Sequence, residues 1–193
     1  MVHSIVPLAV LEAVKNLDTP VEDGLTEFAE ELLVKRLGLS PTVEMQLAEY
    51  ELLARKDARV EPSHVEALLR LVGRRPDADL VFADAGRRAA RRAVKRMYGV
   101  TRLFGRSAAR RAARAVLGAE LGFEHRFPVA RVSDPIAIQA TPDGTACGFY
   151  GAGLVELLRL LIGYEGAMLH VDCRARGSGA CEWRAVGPDP RHQ

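Results

Sequence analysis

All three cysteines of this 193-residue chain fall between positions 147 and 181, with His170 among them. The intervals are twenty-three residues from Cys147 to His170, three from His170 to Cys173 and eight from Cys173 to Cys181, with Gly177-Ser178-Gly179 supplying a turn between the last two. Thiolates and imidazole suit zinc, which takes four such ligands in a closed, tetrahedral structural site. If the four share one ion, the end of the chain must fold back onto the loop at Cys147. On a flat strand, positions three apart face opposite sides, so His170 and Cys173 can meet only if the chain bulges at Val171-Asp172. Spacing by itself leaves open that the thiols are small core side chains and His170 a satisfied strand histidine.

Helical signals dominate the first 120 residues. Residues 5–17 are apolar on most of their circumference, which suits a helix buried by a partner or by the rest of the fold. Thr19-Pro20 and Ser40-Pro41 both place a capping residue before a proline, so helices are expected over 20–38 and over 42–56. Residues 57–62 look like a linker. Further helices are expected over 63–73, 79–97 and from 102 or 106 to 117, the last stopped by Gly118.

After Gly122 the pattern changes. Residues 127–133 and 135–141 are rich in apolar and β-branched side chains and are expected to be two strands or one bent strand. A core helix is expected over 151–162, with Leu154, Val155, Leu157, Leu158 and Leu161 on a broad apolar face, followed by a hairpin of strands over 167–174 and 180–186. The fold class is therefore α+β: N-terminal helices, then a small antiparallel sheet with a packed core helix and a zinc-stapled hairpin. The organisation expected is a helical region over 1–60, suited to dimerisation, a second domain over 61–187 and a frayed tail over 188–193.

Apolar content of 48% with 27% charged residues is that of an ordinary globular chain, and no run of eighteen apolar residues suggests a transmembrane segment. The first residues lack the basic start and long apolar run of a signal peptide, so a cytoplasmic location is expected, where thiols stay reduced and metal ligation is favoured over a disulfide. The net charge of +2 hides an asymmetry. Residues 1–56 carry ten acidic groups against five basic, whereas 85–119 carry eleven basic groups and no acidic one. Arg87, Arg88, Arg91 and Arg92, then Arg110, Arg111 and Arg114, form stripes on helices whose opposite faces are alanine-rich. Apart from a plain solvated face, such stripes suit phosphates, anionic lipid headgroups or the acidic helices of residues 1–56 in the same or a second protomer. An acidic protein partner is the first expectation and nucleic acid the second, because no Gly-rich RNA motif or aromatic stacking set accompanies the arginines.

The segment from about 131 to 185 resembles the 4-vinyl reductase domain, the ligand-sensing module of aromatic-hydrocarbon-responsive regulators and a relative of the small-subunit fold of vesicle-tethering (TRAPP) complexes. Cys147, the Gly148-Phe149-Tyr150-Gly151 helix start, Cys173, Gly177, Gly179, Cys181 and Trp183 follow the family pattern in order and spacing. The resemblance implies a metal site of Cys147, His170, Cys173 and Cys181, with His170 standing where the family usually has Glu. It also implies that residues 61–187 form a ligand-binding domain with a pocket for a small hydrophobic or aromatic molecule. The phenol-sensing members use a His and a Trp upstream of the first cysteine. The upstream region here offers Tyr98, Phe104, Phe123, His125 and Phe127 as candidate ligand-binding residues.

No catalytic constellation stands out. Gly151-Ala152-Gly153 lacks the third glycine and the later acid of a dinucleotide fingerprint, and Cys173 beside His170 is more simply a ligand pair than a nucleophile and base. The leading expectation is a non-enzymatic sensor or binding module with structural Zn2+, acting through a homodimer or a partner protein. An assembly protein of the TRAPP small-subunit kind, and a reductase or carrier acting on a tetrapyrrole, are the alternatives.

Overall fold

The computed structural model describes residues 1–19, 40–97 and 104–186. The helix expected over 20–38, Tyr98 and the tail over 188–193 lie outside the described residues. Seven α-helices, a two-stranded ribbon and a four-stranded antiparallel sheet are present among them, so the fold is α+β.

Helix α1 (Ile5–Asp18) is the apolar N-terminal segment, and the rest of the fold buries it: Ile5, Leu8, Val10, Leu11 and Val14 are each at most 1% exposed. It packs on α4 (Ala78–Lys95), which crosses α7 (Cys147–Ile162), which in turn lies against the sheet. Helix α2 (Pro41–Arg55) covers α1, starting where Ser40 accepts a 3.3 Å hydrogen bond from the Val43 amide and Pro41 opens the first turn. Helix α3 (Pro62–Val72) packs against a short helix, α6 (Ile136–Ala140). No helix among the described residues is long and apolar enough to cross a membrane.

The crossing of α4 and α7 depends on glycine. A Cβ at Gly86 would lie 2.1 Å from the Phe149 carbonyl oxygen, and one at Gly153 would lie 3.3 Å from the Gly86 carbonyl oxygen. Backbone therefore touches backbone, which no side chain would allow.

Helix α5 (Gly105–Ala112) continues as a π-helical turn over Ala113–Leu117 and stops at Gly118, whose φ of 62° closes the helix as expected. The sheet order is β3-β4-β6-β5, built from β3 (Glu120–Glu124), β4 (Phe127–Val132), β5 (Ala167–Asp172) and β6 (Cys181–Val186). Its inner face carries Leu121, Ala130, Val132, Cys181 and Trp183 into one hydrophobic core that also contains Ile5, Phe82 and Leu154.

Three local expectations need correction. Residues 135–141 are not a strand: Ile136–Ala140 is helical, because Ala137 and Ala140, one turn apart, are the buried pair, and the Thr141 hydroxyl closes on the Ala137 carbonyl at 2.9 Å. The expected linker over 57–62 contains β2 (Arg59–Val60), which pairs with β1 (Val2–His3), and the Ser4 amide and hydroxyl both bond the Ala58 carbonyl. Strand β3 carries its own alternation, Leu121 in and Glu120 out, on a stretch to which the sequence pattern assigns no element.

Candidate metal centre

Cys147 is the first residue of α7. The turn before it is shaped by Asp143, whose carboxylate accepts from the Thr145 amide at 3.1 Å and from the Thr145 hydroxyl at 2.7 Å. Gly144, with φ of 85°, lies over the thiols: a Cβ there would come 3.4 Å from Cys173 Sγ and 3.9 Å from Cys147 Sγ. Cys181 opens β6, and Cys173 follows β5. His170 pairs across the sheet with Trp183, while Asp172 pairs with Glu182, so Val171 is an extra residue in β5. This is the bulge that the three-residue spacing requires.

The ligand atoms of Cys147, His170, Cys173 and Cys181 lie within 4.8 Å of one another, close enough to hold one metal ion. Cys181 Sγ is 4.0 Å from Cys147 Sγ and 3.9 Å from Cys173 Sγ. Tetrahedral ligation by thiolates at roughly 2.3 Å from zinc would set the sulfur atoms roughly 3.8 Å apart. The thiols are free, and at these separations they are far from the roughly 2.05 Å of a disulfide.

The donor set fits a cation on two further observations. His170 Nε2 is buried and has no hydrogen-bond partner among the described residues, so a metal is what would satisfy it. Burial, with Arg176 adding to it, lowers the His170 pKa, which keeps the ring neutral and its lone pair available. Burial also pushes the Cys147 and Cys181 thiols up, and the neighbouring Cys173 sulfur adds to the effect on both, so a positive ion is needed for them to ionise together. Outside the ligands, the Arg174 amide points at Cys181 Sγ at 3.5 Å, and His170 stacks on Trp183 with ring centroids 4.4 Å apart.

Two hollows adjoin this centre. A broad groove of about 720 Å³ runs along α7 beside Cys147, His170 and Trp183 and is flanked by Arg87 and Glu156. A smaller cavity of about 180 Å³ lies between β1, the π-helical turn and the start of α7, with Val6, Leu69, Val116, Leu117 and Phe149 in its walls. Ala146, the residue before ligand Cys147, is part of that wall.

None of the four described ligand-binding candidates lines this cavity. Phe104 is 69% exposed at the start of α5, and Phe127 is exposed on the outer sheet face. His125 sits with Arg126 in the β3–β4 turn, both with positive φ. Phe123 is covered by guanidinium groups, with Arg106 4.9 Å and Arg110 5.5 Å from the ring centroid. Phe149 and Tyr150, quoted only as a helix start, are the aromatic residues that the cavity uses; their place next to Cys147 is the signal that could have found them.

The arginine stripes divide. On α4, Arg88 pairs with Asp84, Arg91 with Glu156, and Arg92 with Glu12 and Glu51, so two acids from α1 and α2 are satisfied within the same chain. Arg87 lines the groove. On α5 and its π-helical turn, Arg110, Arg111 and Arg114 make no ion pair with the described residues.

Glu156 is 5% exposed, and hydrogen bonds from Arg159 and Arg91, opposed by burial, hold its pKa at about 2 against an ordinary 4.5. The folded value lies below the unfolded one, so this stabilisation is complete above pH 4.5 and is lost as the pH falls toward 2. The half-exposed arginines reduce it to on the order of 2 kcal/mol. Urea midpoints at pH 7 and pH 3 should show Glu156→Gln losing less stability on acidification than the parent by about that amount; equal acid sensitivity would remove Glu156 as its source.

Comparison with family models, with curated proteins and with solved structures finds no match to this chain.

Proposed function

We propose that this chain is a zinc-clipped, non-catalytic module that binds a small hydrophobic or aromatic molecule and acts through a homodimer or a partner protein, as do the 4-vinyl reductase sensor domains it resembles. The observation that carries the reading is the apolar cavity whose wall runs into the metal centre through Ala146 and Cys147. Zinc is the ion best suited to three thiolates and an imidazole in a closed site. Bound there, it would tie the β5–β6 hairpin to the start of α7 and fix Phe149 and Tyr150 in the cavity wall, with no coordination position left for chemistry. Arg110, Arg111 and Arg114 are the basic side chains left for an acidic partner.

Native mass spectrometry of the purified chain tests the whole reading. The expected masses are those of a dimer carrying one zinc per chain and an additional small organic molecule; a metal-free, ligand-free monomer would contradict it. A second reading, assembly in the manner of the TRAPP small subunits, is favoured by Phe127, Leu169 and Val186, exposed on the uncovered face of the sheet. A zinc-loaded oligomer that takes up no organic ligand would support it.

A further inference from the structure

We infer that the cavity beside α7 takes a small amphipathic anion, an aromatic or short aliphatic carboxylate, with its apolar body inside and its carboxylate held at the rim by Arg59 and Arg114. This rests on the ligand-binding reading above and deepens it by naming the ligand class.

The size sets the body. A cavity of about 180 Å³ is comparable to the roughly 150 Å³ of an engineered apolar cavity that accepts benzene, so one ring or a short chain fits. The charges set the head group. Arg59 and Arg114 both line the cavity, both are exposed at its rim, and neither forms an ion pair among the described residues; Arg59 donates to the Met1 carbonyl at 3.3 Å and feels Asp57 only at longer range. Two other ionisable side chains of the wall are already engaged. Asp134 accepts from Arg174 at 2.9 Å, while His3 bonds Asp57 through Nε2 and accepts the Ile5 amide on Nδ1.

The backbone brings Arg114 to this position. Arg114 to Gly118 all line it, because the cavity lies at the end of this helix, where the π-helical turn over Ala113–Leu117 stops at the left-handed Gly118. That ending places a cation next to Val116 and Leu117, which is the pairing of charge and grease that an amphipathic anion needs. Guanidinium groups bind carboxylates through paired N–H donors, and a neutral phenol or alcohol offers no equivalent acceptor.

Isothermal titration calorimetry of the full chain with benzoate and with benzyl alcohol at low ionic strength tests the inference. Benzoate is expected to bind roughly tenfold more tightly, a modest factor because the arginines are solvated, and the preference should shrink as salt is added. Arg59→Gln with Arg114→Gln, both surface changes, should keep the circular dichroism spectrum and the benzyl alcohol affinity and abolish the preference. Equal affinity for the two probes, or a preference that survives the double variant, would overturn the anion inference and leave the cavity reading standing. Failure of both probes to bind would overturn the two together.

Discussion

Cys181→Ser is expected to give a chain that takes up no metal and loses about 5 kcal/mol or more of stability, enough to unfold a domain of ordinary stability. Cys181 is fully buried and is the hub of the centre, since its sulfur lies against both other thiols and accepts the Arg174 amide. Serine nearly preserves the shape, so the loss reports ligation and not a cavity. The binding free energy of a structural zinc is folding free energy, on the order of 10 kcal/mol in small zinc-binding domains. His170→Ala should act in the same direction. Elemental analysis and thermal unfolding of the parent and both variants check this, with chelator added to the parent as a third arm. A parent that folds well without metal, or a Cys181→Ser protein that melts within a few degrees of it, would end the idea that a metal holds the hairpin.

The second large effect belongs to the helix crossing. Gly86→Ala should cost about 3 kcal/mol and Gly86→Val more, because the added carbon would sit 2.1 Å from the Phe149 carbonyl oxygen and the two central helices must separate to admit it. Helix propensity works the other way, by up to about 1 kcal/mol in favour of alanine, so the measured loss is a net value. Gly148→Ala is the control. Its Cβ would meet only Phe82 Cβ at 4.0 Å, so propensity is unopposed and the variant should be as stable as the parent or slightly more so. Denaturant unfolding of the three variants decides the matter: similar midpoints for Gly86→Ala and Gly148→Ala would mean that the crossing is looser than it looks.

How much of this could be read in advance depended on whether the signal was local. The cysteine cluster was legible because thiols are rare in the chain and its geometry is strict: a three-residue spacing on a strand forces a bulge, and Val171 provides it. Helix α1 was legible because apolar side chains all round a helix leave it nowhere to go but inside. Residues 136–140 misled because isoleucine favours strands, while two alanines that carry little propensity signal are the side chains buried where this segment packs on α3. The four described aromatic and histidine candidates lie away from the cavity for a related reason. Residue type says that a ring can line a cavity, but only tertiary packing says that Phe123 would be covered by Arg106 and Arg110. The fate of the arginines was equally non-local, since α4 meets its carboxylates on α1, α2 and α7, whose arrangement no helical periodicity encodes.

The extra residue at Val171 has a consequence beyond ligation. Strand β5 is an outer strand of the described sheet, and an outer strand presents a row of unpaired amides and carbonyls on which a strand from another molecule can build. An inserted residue breaks the repeat of that row, so an incoming strand in register with Ala167–His170 falls out of step after it. The distortion that gathers four ligands also makes this border of the sheet a poor template for edge-to-edge aggregation, a protection that would persist whatever occupies the cavity on the far side of α7's first turn.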